Sequence, residues 1–405
     1  MEEGSKFRIL FVHGADIRVG GGAEKIIYYY MKMLPHEGFE PYLLMTNLLD
    51  EKRFPDSLID ELGDRVIRVK AYRPRGVAAR LTGIPYVGDA FDYAFLHYYA
   101  LRHRDEILEA LRPYHFDIIY FVSFSMSFYF PRDADDAVWI GSEITRDFPK
   151  PRGVVGWLQY LALLHDLARF DYIHRLSNRN IGETYAGVRT FLVPSGFRSD
   201  VFYPYIGKRK DDSTVKFYFA ARLIPLKGLR LLLDAWRIAL EKGLSNAELH
   251  IFGTGPDSIL LYKEKLPRVV YHGNFSELNL ASMVREMDFL VYPTSYDTFS
   301  LTVTEALASG CHAIVSDYLR GIWDREEKLG FLEYVPRDPV ILAERIMSAT
   351  HNLDKYHNQE LKMKQYEYMR DNYDWSRVVH KLANEIRSRV KERRFQNIES
   401  SENRA

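Results

Sequence analysis

Apolar and polar positions follow one another along the chain in a way that predicts short buried strands separated by amphipathic helices. The first apolar run, Phe7 to Val12, ends at His13 and is followed by a glycine loop. Ala23 to Leu34 then repeats apolar residues with a helical period. This order of strand, loop and helix is typical of the first unit of a parallel α/β sheet.

The same alternation continues through the first half of the chain. It predicts further strands at Pro41 to Thr46, Val66 to Val69, Asp117 to Val122, Ala137 to Gly141 and Thr190 to Val193, and helices at Tyr98 to Leu111 and Val154 to Phe170. Strands joined by helical crossovers predict a parallel sheet.

The pattern restarts after a charged, apolar-poor segment, Ile206 to Thr214. A new set of strands is predicted at Val215 to Ala220, Glu248 to Phe252, Val269 to His272, Phe289 to Tyr292 and Ala313 to Val315, with a helix at Leu229 to Leu240. We therefore expect an α/β protein with two Rossmann-like domains, residues 1–205 and 206–370. Residues 371–405 are expected to form a C-terminal helix and charged tail. Ligands of such sheets bind beyond the carboxyl ends of the strands.

Two carboxylates, Asp297 and Glu305, lie eight positions apart across a predicted strand-to-helix turn. The backbone amides between them would point at an anion on the helix N-terminus, while the carboxylates accept sugar or ribose hydroxyls. The amides concerned belong to Thr298, Phe299, Ser300, Leu301 and Thr302. The turn therefore predicts a site for a nucleotide sugar.

Cations and glycines follow other predicted strand ends. Arg222 and Lys227 come after the strand that ends at Ala220, and Lys227 immediately precedes the next helix. A lysine at a helix start is unusual unless an anion is held there. The glycine loop Gly20, Gly21 and Gly22 lets the backbone approach a phosphate, although a flexible helix entry explains it equally well. Gly253, in the sequence FGTGP, has the same two interpretations, a ligand contact or a tight turn ended by Pro256.

These segments together resemble the retaining family 4 glycosyltransferases. The Asp297 turn resembles the family's E-x7-E motif, and Arg222 to Gly228 resembles its R-x4-K-G segment. Similar likenesses, in the family's order, cover GGGAE at Gly20, FGTGP at Phe252, VPSGFRSDVFYP at Val193 and NYDWSR at Asn372. The resemblance implies a GT-B fold, in which two Rossmann-like domains face each other across a cleft. It also implies that the C-terminal helix and tail, residues 371–405, pack back toward the N-terminal domain.

The resemblance also implies roles for the residues. Arg222 and Lys227 would stabilise the leaving diphosphate, Glu305 would hold the ribose, and Asp297 with the neighbouring amides would orient the sugar. The glycine loop would close over the diphosphate, and Gly253 would lie near the nucleotide base. The expected activity is retaining, metal-independent transfer of a hexosyl group from a UDP-, GDP- or dTDP-sugar to a glycan, a lipid-linked glycan or a small hydroxyl acceptor.

The sequence departs from the family pattern at two places. Asp297 is one methylene shorter than the usual Glu, and SEITR, from Ser142, resembles the H-E-P-P-R variant with serine in place of histidine. Glu143 and Arg146 would then contact acceptor or sugar, with a structural salt bridge as the equal alternative. His13 would contact a hydroxyl, unless it is an ordinary loop histidine.

Composition excludes several other functions. Lys plus Arg and Asp plus Glu number 55 each, so no global basic field favours nucleic acid. The single cysteine, Cys311, excludes an intrachain disulfide. No apolar run is long enough for a membrane span, and the acidic N-terminus is unlike a secretory signal, so we expect a cytoplasmic protein. Peripheral membrane contact through Tyr72 to Leu81 or the helix carrying Trp157 remains an open alternative to core packing.

No group of His, Cys or Asp has metal-ligand spacing, so neither a metal nor another cofactor is expected, and the nucleotide sugar is a substrate. Two alternatives share the same fold. One is a nucleotide-sugar epimerase, and the other is a catalytically inactive nucleotide-sugar-binding protein, which the residues at 142 and 297 motivate. Fold alone does not separate them.

Overall fold

The computed structural model describes residues 6–13, 21–45, 62–69, 102–122, 127, 130, 136–144, 153–177, 179, 184–207, 214–356 and 358–402. The chain divides into two compact units. Unit 1 comprises Met1–Pro194 and Val379–Ala405, and unit 2 comprises Ser195–Val378.

Unit 1 contains a sheet of eight strands: β1 (Phe7–His13), β2 (Phe39–Met45), β3 (Val66–Arg68), β4 (Ile118–Phe121), β5 (Val138–Ser142), β6 (Tyr172–Arg175), β7 (Thr184–Tyr185) and β8 (Val188–Leu192). Their order across the sheet is β3-β2-β1-β4-β5-β6-β8-β7, and every pair is parallel except β7 with β8. Among the described residues of this unit, the helices are α1 (Gly22–Met33), α2 (102–111) and α3 (Gly153–Leu167).

Unit 2 contains a parallel sheet of six strands: β9 (Val215–Ala220), β10 (Ala247–Phe252), β11 (Val269–Gly273), β12 (Phe289–Tyr292), β13 (His312–Ser316) and β14 (Leu332–Val335). Its helices are α4 (Leu229–Glu241), α5 (Ser258–Glu264), α6 (Glu277–Val284), α7 (Leu301–Ala308), α8 (Asp324–Lys328), α9 (Pro339–His351) and α10 (Gln359–Tyr373). The last helix, α11 (Trp375–Glu402), begins in unit 2 and ends in unit 1.

The strand order is the same in both units and fixes where a ligand can bind. The order β11-β10-β9-β12-β13-β14 repeats the order of the first six strands of unit 1, and both are doubly wound. In unit 1, successive strands are added on one side of β1 as far as β3 and then on its other side from β4 onward, so the switch point lies between β1 and β4. In unit 2 it lies between β9 and β12. Ligands of such sheets bind at this switch point, beyond the carboxyl ends of the strands. The expectation of two Rossmann-like domains is confirmed.

Apolar residues fill both faces of the central strands. In β9, Phe217 and Phe219 are buried and pack against Trp236 of α4 and Tyr292 of β12. A strand buried on both faces reads as a continuous apolar run, which is why β9 and β12 were predicted from sequence. Three strands were not predicted, β6, β7 and β14. β7 has only two residues, and the other two carry charged or imidazole side chains within a four-residue run (YIHR and LEYV), which weakens the apolar pattern.

The unit boundary differs from the sequence-based division at residue 205. Residues 195–205 belong to unit 2, because their backbone bonds to other parts of that unit. Phe197 donates to the Tyr373 carbonyl oxygen (2.9 Å) and accepts from the Trp375 amide (3.0 Å), and Arg285 donates to the Val201 carbonyl oxygen (2.7 Å). The segment that resembles an interdomain connection is thus part of the second unit.

The later part of α11 bonds to unit 1. Tyr172 donates to the Glu392 carboxylate (3.0 Å), and the Arg394 guanidinium pairs with Asp117 (3.0 Å). Arg387 donates to the backbone carbonyl of Glu37. These contacts explain why residues from Val379 onward are counted with the first unit.

Candidate functional site

The loop after β9 is held against the loop after β10. The Leu223 amide donates to the Thr254 carbonyl oxygen (2.9 Å), and the Asp257 amide donates to the Leu223 carbonyl oxygen (2.9 Å). Gly253 has a φ of +125°, and a Cβ there would lie far inside the contact distance of the Ala221 carbonyl. The glycine expected near a nucleotide base therefore has a structural reason of its own, which is the close approach of the two loops.

Arg222 lies in this first loop, two residues beyond the end of β9. Its side chain is exposed, and it makes no side-chain hydrogen bond or ion pair with any residue that the structure describes. An arginine carries five donors and is always charged, so it is ready to bind an anion at the switch point.

Lys227 ends the short 3₁₀ turn Pro225–Lys227, directly before Gly228 and α4. This turn is tied to the loop after β12, because the Leu226 carbonyl oxygen accepts from the Ser295 amide (2.7 Å) and from Thr294 Oγ1 (3.1 Å). The loops that follow β9 and β12 therefore form one hydrogen-bonded unit.

Asp297 lies within this unit and pairs with Lys227. Its Oδ2 accepts from Lys227 Nζ (2.8 Å) and from the Tyr292 hydroxyl (2.7 Å), and its Oδ1 accepts from the Thr298 amide (2.9 Å). Burial, with the neighbouring Asp297 carboxylate, raises the pKa of Tyr292 well above its ordinary value, so the phenol stays protonated and donates.

The start of α7 leaves backbone donors available. Ser300 is the N-cap, with a φ of +80°, and its Oγ accepts from the Val303 amide (3.4 Å). The amides of Phe299, Ser300, Leu301 and Thr302 have no acceptor among the described residues. Since these N–H groups lie at the positive end of an eight-residue helix, an anion is favoured there. The prediction of free amides between Asp297 and Glu305 agrees with this geometry, except that Thr298 donates to Asp297.

The conformation of this turn is fixed from behind by an aromatic cluster. Trp323 Nε1 donates to the Phe299 carbonyl oxygen (3.0 Å), and the two rings lie 4.7 Å apart. Tyr373 packs on Trp323 and donates to the buried carboxylate of Glu326 (2.7 Å), which also accepts from Tyr368 (2.8 Å). Every polar group named here has a partner, so the cluster is rigid.

Glu305 lies one turn inside α7 and is buried. The alternative interpretation, a solvent-facing helix residue, is therefore wrong. Buried carboxylates are rare unless a partner is present, so burial indicates a specific environment for Glu305. Its contact with a ribose stays a prediction.

Sequence reasoning missed two residues of this site. Tyr292 closes β12, five residues before Asp297, and its hydroxyl was hidden in an apolar run. Trp323 lies 24 residues after the carbonyl that it binds, and no local pattern connects the two.

In unit 1, the predicted site residues are mostly bonded to their own unit. His13 Nε2 pairs with Glu24 Oε1 (3.2 Å), and both side chains are largely buried. Gly21 precedes α1, and a Cβ there would collide with the Glu24 carboxylate. Gly22 is the first residue of α1. Gly20 lies outside the described residues, as do Arg146 and the membrane-contact candidate Tyr72 to Leu81.

Ser142 and Glu143 are more deeply placed than the sequence suggested. Ser142 is not in the loop after β5 but is the strand's last residue, because it pairs with His174 of β6. It is fully buried. Glu143 is also buried, and its carboxylate accepts from the Leu176 amide (3.2 Å). Of the two interpretations for Glu143, this contact favours a structural role.

Below Ser142 lies a buried pair of side chains, Tyr120 and His174. The Tyr120 hydroxyl bonds to His174 Nδ1, and His174 Nε2 bonds to the Val193 carbonyl oxygen (2.8 Å). Since a carbonyl only accepts, Nε2 carries the proton and Nδ1 accepts from the phenol. Burial lowers the pKa of His174 to about 4.

Two absences concern the described residues alone. No three His, Cys, Asp or Glu side chains there gather in a way that would hold a metal ion. Within the same parts of the chain, no helix combines the length and apolar character that crossing a membrane requires.

Part of the chain matches a known protein family. Residues 214–352 match the family described as glycosyl transferases group 1, and this span includes Arg222, Lys227, Asp297 and Glu305. The matched span lies within unit 2 and makes up most of it.

A curated relative of this chain is a GDP-mannose-dependent alpha-mannosyltransferase of Mycolicibacterium smegmatis. It is 34% identical over 99 residues, which are 24% of this chain and 24% of that protein. The aligned segment thus spans about a quarter of the relative's length.

Solved structures extend the likeness to both units. Sucrose-phosphate synthase from Thermosynechococcus elongatus has a TM-score of 0.69 at 16% identity, covering 95% of this chain and 99% of that one. The Anabaena protein HepE, solved with UDP and glucose, has a TM-score of 0.65 at 15% identity, covering 94% and 100%. At this identity the likeness shows the fold, which is a GT-B fold of two Rossmann-like domains, and the span that matches glycosyl transferases group 1 lies in the second of them.

Proposed function

We propose that this protein is a retaining glycosyltransferase that transfers a sugar from a nucleotide-sugar donor to a hydroxyl acceptor. The observation that carries the proposal is a set of donors at the switch point of unit 2 that keep capacity for a ligand. It combines the exposed guanidinium of Arg222, the one N–H of the Lys227 ammonium that is left beside its bonds to Asp297 and Tyr296, and the free amides at the start of α7. These groups are suited to a diphosphate.

The chemistry follows from this placement. As the bond between sugar and diphosphate breaks, negative charge grows on the departing phosphate oxygens. Lys227 and the amides of residues 299–302 are already held in place, and together with Arg222 they would stabilise that charge without a metal. Retention would follow from attack on the face that the diphosphate leaves, and a phosphate oxygen would accept the acceptor's proton.

The comparisons guide the choice of donor. The mannosyltransferase relative is GDP-mannose-dependent, and HepE was solved with UDP and glucose. GDP-mannose and UDP-glucose are therefore the first donors to test, followed by dTDP-sugars. The acceptor is a glycan, a lipid-linked glycan or a small hydroxyl compound.

A thermal-shift panel of nucleotide sugars tests the donor site, because a ligand that binds only the folded state raises its apparent stability. We expect one donor to raise the melting temperature. Removing one charge-assisted contact costs roughly 1.5–3 kcal/mol, or about 10- to 100-fold in affinity. Arg222→Ala and Lys227→Ala should each weaken binding by that factor.

The matched control is Lys242→Ala, which removes an exposed lysine from the opposite end of α4 and should leave donor affinity unchanged. No shift with any donor, or a shift that survives both site substitutions, contradicts the proposal. Product analysis with an acceptor then identifies the reaction. A product with the donor's anomeric configuration supports retaining transfer, whereas an isomerised free sugar nucleotide would indicate the epimerase.

A further inference from the structure

The Asp297 carboxylate is occupied by groups of its own domain. Lys227 Nζ and the Tyr292 hydroxyl both donate to Oδ2, and the Thr298 amide donates to Oδ1. A carboxylate offers about four acceptor positions, of which three are therefore filled. The side chain is only 16% exposed. Little capacity is left for the sugar hydroxyls that the family resemblance implies.

Lys227, the partner of Asp297 in this ion pair, is also held by contacts with its own domain. Lys227 Nζ donates to Asp297 (2.8 Å) and to the Tyr296 carbonyl oxygen (3.2 Å). An ammonium has three donors, so one remains for a ligand. The direction of that last N–H is set by the first two contacts. The lysine side chain is also 16% exposed, so it has little room to reorient.

Tyr292 holds the pair from beneath. It is 2% exposed, at the end of β12, and its ring lies 5.6 Å from Lys227 Nζ. Burial raises the pKa of Tyr292 well above its ordinary value, so the phenol keeps its proton and donates to Asp297. A residue so deeply buried acts on a ligand only through Asp297 and Lys227.

Resting on the proposed transferase function, we propose that Asp297 is a positioning residue for Lys227 and not a ligand of the donor sugar. The chain Tyr292, Asp297 and Lys227 fixes one ammonium donor toward the diphosphate. Lys227 and Asp297 then contribute to binding of the diphosphate alone, and their contribution does not depend on which sugar is attached. The shorter aspartate suits this role, since it keeps the carboxylate close to its own turn.

The test compares a nucleoside diphosphate with the corresponding nucleotide sugar, GDP with GDP-mannose and UDP with UDP-glucose. Calorimetry would measure both affinities for Asp297→Asn and Tyr292→Phe, each in the native and in the Lys227→Met background. We expect both variants to weaken the diphosphate and the sugar nucleotide by the same factor, about tenfold for Asp297→Asn. In the Lys227→Met background neither change should have a further effect, because the lysine is the route of action.

The control variant is Tyr356→Phe, which removes a buried hydroxyl that accepts from Arg345 outside the site and should leave both affinities unchanged. Diphosphate binding that is unchanged or tighter in Asp297→Asn, with weaker sugar-nucleotide binding, would overturn the proposal and restore a direct sugar contact. An equal loss that persists in Lys227→Met also contradicts it. If the native protein binds no nucleoside diphosphate at all, the proposed function itself fails, which is a different result from either of these.

Discussion

Two glycines at the two ends of α4 allow the geometry of the site to be tested separately from backbone strain. Gly228 precedes the helix with a φ of +84°, and Gly243 follows it with a φ of +97°. A Cβ on Gly243 would meet nothing within 4 Å. A Cβ on Gly228 would lie closer than 3.0 Å to the Pro293 carbonyl oxygen, a distance that real Cβ atoms essentially never show.

The magnitudes follow from this difference. Alanine in a left-handed conformation costs roughly 1–2 kcal/mol at either position. In a domain of this size, 1 kcal/mol lowers the melting temperature by roughly 2–4 °C. Gly228→Ala must in addition push Pro293 away, and Pro293 directly precedes the residues that hold the Lys227 turn. A displacement on the order of 1 Å at a reacting centre costs about 100-fold in rate.

The assay measures melting temperature, nucleotide-sugar affinity and turnover for both variants. We expect Gly243→Ala to lower the melting temperature by a few degrees, in keeping with the strain estimate, and to keep native affinity and turnover. Gly228→Ala should lose roughly 100-fold or more in turnover while remaining folded. The reasoning is refuted if the two variants have the same turnover, since the contact between Gly228 and Pro293 would then not hold the site.

Two further predictions concern His174 in unit 1 and Trp323, which lies behind the turn that starts α7 in unit 2. His174 should remain neutral down to about pH 4, which histidine-selective ¹⁵N NMR would show. Because its pKa in the folded protein lies below the ordinary 6.5, His174 contributes stability that is fully present above pH 6.5 and is lost as the pH falls toward 4. The free energy of unfolding should fall by about 2 kcal/mol between pH 6.5 and pH 5 for this reason, so His174→Gln should show a flatter dependence of stability on pH. A His174 imidazole that titrates near pH 6.5 would contradict this prediction. Trp323→Phe removes the N–H that donates to the Phe299 carbonyl oxygen, and it should weaken nucleotide-sugar binding several-fold. The control is Trp236→Phe, which removes a similar bond to the Pro267 carbonyl oxygen and should leave nucleotide-sugar affinity unchanged. If both variants weaken nucleotide-sugar binding equally, the effect of Trp323→Phe is a loss of stability alone.

The apolar pattern was sufficient to predict the fold where strands are buried on both faces. Phe289 to Tyr292 was predicted with the bounds that the structure has, because all four residues are buried. Two of the missed strands, β6 and β14, contain His174 and Glu333, whose polar groups bond to Val193 and Arg345. Such partners are distant in sequence, so a local pattern does not reveal them. The observed boundary between the units, at residue 195, differs from the sequence-based division at residue 205 for the same reason. Residues 195–205 bond to residues near 285 and 373, which are distant in sequence.

The candidate site was predictable as a set of residues but not as a set of contacts. Arg222, Lys227 and Asp297 were chosen because each follows a strand, and the order β9 next to β12 brings those strand ends together. The ion pair between Lys227 and Asp297 joins residues 70 positions apart, and only the sheet topology makes them neighbours. The role first given to Asp297, a sugar contact, assumed a free carboxylate, whereas the contacts with Tyr292 and Thr298 were invisible in the sequence.

The described residues at the two switch points differ in the donors that they offer to the proposed diphosphate. In unit 1, β1 ends at His13, whose Nε2 pairs with Glu24. In unit 2, the loop after β9 presents an exposed Arg222, and the turn after β12 presents free amides at a helix start. A dianionic group is bound where donors lack acceptors, since its arrival then displaces no internal bond. The same unit carries the match to glycosyl transferases group 1, so physical complementarity and family likeness independently favour unit 2 as the holder of the leaving group.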